Sequence, residues 1–108
     1  MDKKNVPIEI LELVSNYGKL IKKNGIHFDR IILFGSYAKN LFRKSSDIDV
    51  AVIIKDLKGG EEHKLQVDLG KLTWKFDTRI EPHPISLQSF LNNETPFVNE
   101  IKKFGLVV

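Results

Sequence analysis

The run that most restricts how this chain folds is Asp47–Ile54, DIDVAVII. Side chains alternate across a strand, so Ile48, Val50, Val52 and Ile54 share one face, and Asp47, Asp49, Ala51 and Ile53 share the other. The first face demands a core. The second begins with two carboxylates at i and i+2, whose Cα atoms lie about 6.5–7 Å apart on an extended backbone. On an apolar sheet face two such ionised groups repel each other and lose hydration. A hard divalent cation removes both objections, because magnesium takes one or two carboxylates and completes its shell with water and phosphate oxygens. Two such ions about 3.5–4 Å apart can activate an attacking oxygen and stabilise a leaving one. Taken alone, an Asp-x-Asp pair is more often a strand end whose aspartates face solvent.

A second motif sharpens the first. Gly35-Ser36 follows the apolar run RIILF, and ten residues separate it from Asp47. Glycine lets the backbone approach a ligand closely, and free amides at the start of a helical turn over YAKNLF suit a phosphate. The Ser36 hydroxyl can donate to a phosphate oxygen. Lys39, Arg43 and Lys44, between the two motifs, can neutralise further charge. The pair by itself reads as an ordinary strand-to-helix turn with Ser36 as N-cap. In combination, the two motifs place triphosphate-binding and metal-binding elements on neighbouring strands of one sheet.

Periodicity supplies the frame around them. From Pro7 to about Lys23, apolar residues at Ile10, Leu13, Val14, Tyr17, Leu20 and Ile21 have helical spacing, with Asn24-Gly25 as the stop. RIILFG (30–35) suits a strand buried on both faces. Gly59-Gly60 breaks the chain, and a helix over 61–76 follows, with Leu65, Leu69, Leu72 and Phe76 on one stripe and Val67 and Trp74 widening it. A short strand over 78–83 is cut off by Pro82 and Pro84 and placed at a sheet edge. Ser86 caps a short helix to about Leu91. Phe97, Ile101 and Phe104 mark a last helix ended by Gly105. The order is helix, strand, short helix, strand, helix, strand and two short helices. It predicts an α/β (α+β) fold with a small mixed sheet covered by helices mainly on one face, the other face left for the aspartates.

Composition limits the alternatives. At 108 residues, 42% hydrophobic and 29% charged, the chain suits one globular domain, 1–108. It has no cysteine, so disulfides and thiolate-metal sites are excluded. No apolar run approaches the roughly 20 residues of a membrane span, and the charged N-terminus lacks a secretory signal's apolar core. These features fit a cytoplasmic protein. The net charge of +3 is mild and reads as a solvated surface rather than a nucleic-acid interface. His27 and His63 have no partners at ligand spacing. His83 shares a face with Glu81; its ordinary reading is a partly exposed histidine beside prolines, its alternative a group near a phosphate or metal. Arg79 pairs with Glu81 or Asp77, and Trp74 belongs to the core or a partner surface.

RIILFGSYAKN, SSDIDVAVII, DTRIEPHPIS and the closing PFVNEIKKFG together resemble the minimal nucleotidyltransferases of the DNA polymerase β-like superfamily. The resemblance implies that Gly35 and Ser36 bind nucleotide phosphates, and that Asp47 and Asp49 hold two magnesium ions with a third carboxylate on a later strand. Glu81 in RIEP matches that third acid. Asp77 is its rival but falls at the strand's start, where the backbone is less rigid. Two departures stand out. The family often has a second glycine four or five residues after Gly-Ser, where this chain has Asn40, a residue that tolerates left-handed backbone. Glutamate replaces the commoner aspartate at the third position.

The implied activity is metal-dependent transfer of a nucleoside monophosphate, AMP from ATP, to an acceptor hydroxyl with release of pyrophosphate. The implied partner is a small helical HEPN protein, with this chain as the antitoxin that adenylylates a toxin tyrosine in a toxin–antitoxin pair. Neither membrane nor nucleic acid is implied as main partner, and an oligomer is compatible with the sequence. Two other classes compete: a non-catalytic module that binds nucleotide or covers a partner, and a basic nucleic-acid binder whose affinity falls steeply with salt.

Overall fold

The computed structural model describes residues 6–43 and 45–108. The elements run α1 (Ile8–Lys23), β1 (Arg30–Phe34), β2 (Ile48–Ile54), α2 (Glu62–Phe76), β3 (Ile80–Ser86), α3 (Leu87–Leu91), α4 (Pro96–Phe104) and β4 (Leu106–Val107). The strands form one mixed sheet in the order β3-β2-β1-β4. β2 lies antiparallel to β1 and parallel to β3, and β4 pairs antiparallel with β1.

The alternation in β2 builds two cores. Ile48, Val50, Val52 and Ile54 join Ile31, Leu33 and Ile80 against Ile10, Val14, Tyr17 and Ile21 of α1 and Leu69 of α2. Full burial of such side chains is worth about 1.5–3 kcal/mol each. Tyr17 ties the two helices together, its buried hydroxyl donating to the Leu69 carbonyl at 2.7 Å. On the opposite face, Ile32, Ala51, Ile53 and Ile85 pack under Phe90 of α3 and Val98 and Ile101 of α4. That face is therefore partly roofed by the two short helices. Asp49 stands at the end where β2 begins and β1 finishes.

Several boundaries depart from the expectations. Asp47 precedes β2 by one residue rather than opening it. The YAKNLF segment is one turn, not a helix. In it Leu41 N–H bonds to Ser36 O at 2.9 Å and Asn40 N–H to Tyr37 O at 3.4 Å, with Asn40 at φ +59°. This is the paired bonding of a Schellman cap, so the turn closes on itself before a second turn can form. β3 runs on through Pro82 and Pro84 to Ser86 instead of stopping at them. It is an edge strand, and the two prolines alternate with the residues that bond to β2, so the missing N–H groups face away from the ladder. The outward carbonyl of Pro82 is taken by Gln66 Nε2 of α2 at 2.7 Å.

Ser86 caps α3 by accepting from Ser89 N–H at 3.1 Å, and Gly105 ends α4, both as the sequence indicates. β4 was not anticipated. It follows Gly105 directly and pairs with β1, and at Gly105 a side chain would strike the Ile101 carbonyl and Ile32. On α2, Thr73 rather than Trp74 turns to the core, leaving Trp74 75% exposed. No helix among the described residues is long and apolar enough to cross a membrane.

Candidate active site

The end of the second sheet face where β2 begins gathers three side chains able to ligate a metal, from two strands. Parallel register sets Asp49 directly opposite Glu81 and Ala51 opposite His83. Alternation then aims Asp49, Glu81 and His83 to the same side. One ligand atom from each of the three lies within 4.8 Å of the other two. The His83 Nε2 atom is 3.6 Å from Asp49 Oδ1, beyond hydrogen-bonding reach, and it is buried without a partner.

Gly35 forms the floor of this group. The chain leaves β1 with Gly35 at φ +74°, a left-handed conformation that glycine adopts without penalty. A Cβ at this position would collide with the Asp49 carboxylate. Phe34 pairs in register with Asp49 and meets the His83 ring edge-on at 5.3 Å. Phe97, at the start of α4, packs against both rings, 5.4 Å from Phe34 and 5.7 Å from His83. An aromatic wall thus backs the imidazole. In the sequence Phe97 marked only the last helix; the packing of α4 on the sheet brings it here. A cleft of about 490 Å³ adjoins the wall, reached past His83 and Phe97 and bordered by Lys58, Glu62, Gln66 and Ser89.

The electrostatics follow from crowding. Loss of hydration pushes the Glu81 carboxyl above the usual range, and the Asp49 and Asp47 carboxylates push it further. Asp47 is therefore close enough to act on Glu81 by charge, although it is exposed and lies outside the close three-residue group. Asp77, the rival third acid, is occupied elsewhere. It receives two bonds from the Arg79 guanidinium, at 2.9 and 3.1 Å, and another from Arg79 N–H. Those bonds hold its carboxyl below the ordinary 3.8.

The remaining candidates fall at different places. Ser36 is half-buried beside Gly35 in the turn. Lys39 forms an ion pair with Glu100 on α4 and lies over the Phe104 ring at 4.9 Å. Arg43 is exposed, its N–H bonded to Ser46 Oγ at 2.7 Å. Lys44 lies outside the described residues.

The residues suit a divalent cation. The Asp49 and Asp47 carboxylates raise the cost of ionising Glu81, an orphaned buried nitrogen lies beside Asp49, and the bare backbone of Gly35 lets the Asp49 carboxylate lie against it. A bound ion would offset the crowded negative charge and give the nitrogen a partner.

Relatives agree with this architecture. A protein of Methanocaldococcus jannaschii named "Putative protein adenylyltransferase" is 30% identical over 105 residues, covering 94% of this chain and all of its own length. A second of that name and organism is 35% identical over 75 residues, covering 67% of this chain and 57% of the relative. Among solved structures, one described as a putative nucleotidyltransferase of Sulfolobus solfataricus superposes with a TM-score of 0.69 at 14% identity, over 93% of this chain and 79% of that one. A chain from a toxin–antitoxin structure with AMP-PNP superposes at 0.51 with 24% identity, over 85% and 71%. The sequence profile described as "Polymerase beta, Nucleotidyltransferase" matches residues 8–108. A match over nearly the whole chain, together with a relative aligned end to end, makes this protein a nucleotidyltransferase of the polymerase beta family.

Proposed function

We propose that this nucleotidyltransferase transfers AMP from ATP to a hydroxyl of a protein partner, releasing pyrophosphate. The observation that carries the reading is the opposition of Asp49 and Glu81 across β2 and β3, with Gly35 held against Asp49. The names of the Methanocaldococcus relatives support protein as the acceptor, and the AMP-PNP neighbour supports an adenine nucleotide. That neighbour's toxin–antitoxin setting supports a toxin–antitoxin context; a helical HEPN partner modified on tyrosine rests on the sequence resemblance alone.

Asp47, Asp49 and Glu81 would hold the divalent ions, two of them magnesium by the sequence reading. When bound, such ions neutralise phosphate charge and lower the barrier to attack at phosphorus. The chain's own groups do the rest. Gly35 lets the triphosphate approach the backbone, and Ser36 donates to a phosphate oxygen. Arg43 and Lys44 supply positive charge; Lys39 can join them only by leaving Glu100. Glu81 accepts the acceptor's proton as its oxygen bonds to the α-phosphorus and the α–β bridging bond breaks. Phe34 and Phe97 keep water from one side of the reacting groups. Positioning and electrostatics carry most of such a reaction.

Exposed Trp74 and Val67, seven residues apart on α2, favour a second reading in which the chain acts by covering its partner. One experiment separates the two. The protein is mixed with source-organism lysate, divalent cation and ATP labelled at the α- or the γ-phosphate. Attachment of α-label to a protein, lost in Asp47→Asn/Asp49→Asn, is the expected result. Attachment of γ-label alone would mean a kinase, and no transfer with any nucleotide or cation would favour the covering role.

A further inference from the structure

We propose that His83 is a third protein ligand to the cation held by Asp49 and Glu81, and that its nitrogen makes this position prefer manganese over magnesium. The inference rests on reading these carboxylates as a metal site and adds a donor that the Asp-x-Asp and third-acid pattern lacks.

Three observations meet on this residue. First, Nε2 is buried and bonded to nothing, although buried polar atoms are nearly always paired. Second, it stands 3.6 Å from Asp49 Oδ1, too far for a hydrogen bond. An ion bonded at about 2.1 Å to each atom could bridge that gap. Two ligands of one such ion lie at most about 4.2 Å apart. The group of three, within 4.8 Å of one another, closes on one ion after side-chain shifts of about 1 Å. Third, the ring is held edge-on by Phe34 and Phe97, so its orientation is set by packing and not by a bond at Nε2. A nitrogen atom restrained to face two carboxylates, with no donor or acceptor of its own, is placed as a ligand.

The donor type then decides the ion. Magnesium takes oxygen ligands almost exclusively, whereas first-row transition ions accept imidazole readily. Manganese combines that tolerance with the octahedral, phosphate-compatible chemistry of magnesium.

The test measures binding of manganese and magnesium to the full chain without nucleotide, with pulsed electron paramagnetic resonance of the manganese complex. The expected result is at least tenfold tighter binding of manganese and a nitrogen coupling from a directly bound imidazole. His83→Gln should abolish the coupling and weaken manganese about tenfold or more, while changing magnesium less than twofold. Phe97→Leu, which loosens the wall without removing the donor, should retain the coupling. Manganese bound without nitrogen coupling in the unaltered protein overturns the inference and leaves the carboxylate site standing. Equal losses for both ions in His83→Gln also overturn it, showing a structural role. Absence of any metal binding removes both the inference and the metal reading beneath it.

Discussion

Gly35 lies against the Asp49 carboxylate so closely that a single added carbon would collide with Asp49 Oδ2. The end of β1 and the start of β2 are therefore fitted to each other at the site itself. Gly35→Ala must strain a backbone at φ +74°, at about 1–2 kcal/mol, and must also displace Asp49. We expect a fall in melting temperature of several degrees and loss of divalent-cation binding, read by calorimetry. A stable variant with unaltered binding would separate the glycine from the site.

Asp49 should also govern stabilisation by metal. At a free cation concentration of 100 times Kd, the unaltered protein should gain about 2.7 kcal/mol. Asp49→Asn should lose that gain. It should unfold at an equal or slightly higher temperature without metal, because the Asp49 charge is one of those acting on Glu81. Thermal scans with and without manganese check both directions.

Asn40 stands at the left-handed position of the cap that ends the turn after Gly-Ser. Asn40→Gly should leave stability within a few tenths of a kcal/mol, and Asn40→Ala should cost about 1 kcal/mol. Urea unfolding of the two variants measures the difference.

Tyr17→Phe removes the hydroxyl that serves the Leu69 carbonyl in the interior, where burial also pushes the phenol well above its usual range. Leaving that carbonyl one partner short should cost about 1–2 kcal/mol, seen as a lower denaturation midpoint at unchanged slope.

The Asp77–Arg79 pair predicts a pH signature. Asp77 is held below 3.8 in the folded chain, so its contribution is present above that value and lost as pH falls through the lower folded one. Asp77→Asn keeps an oxygen for Arg79 N–H but removes the charge. Arg79 is partly exposed and screened, so the cost at pH 7 should be only about 0.5–1 kcal/mol. Unfolding at pH 7, 4 and 3 should show the two proteins converging as the pH falls.

What could be read in advance follows the range of the interactions. The strand DIDVAVII, the caps Ser86 and Gly105 and the tolerance of Asn40 are local properties, visible in alternation and in residue type. The facing of Asp49 and Glu81 required only that two strands be neighbours, which the family pattern supplied. Contacts between distant segments were not legible. Lys39 read as a free cation because Glu100 lies 61 residues away. Phe97 read only as a position on the last helix because its neighbours His83 and Phe34 come from two different strands. Trp74 read as core or a partner surface on a widened stripe; the structure removes the core alternative, because Thr73, four residues after Leu69, takes the inward position instead. β4, two residues long, has almost no periodicity to detect.

The prolines of β3 have a consequence beyond the sheet edge. Glu81 and His83 are each followed by proline, and a residue before proline is kept out of the helical region while proline fixes its own φ. Four successive residues are thus biased towards extension by covalent geometry alone, before any neighbouring strand is present. Ordering a residue's backbone costs about 1–2 kcal/mol, and here part of that loss has already occurred in the unfolded chain. The segment presents Glu81 and His83 on one side at a spacing fixed by its bonds, and folding need only bring Asp49 alongside them.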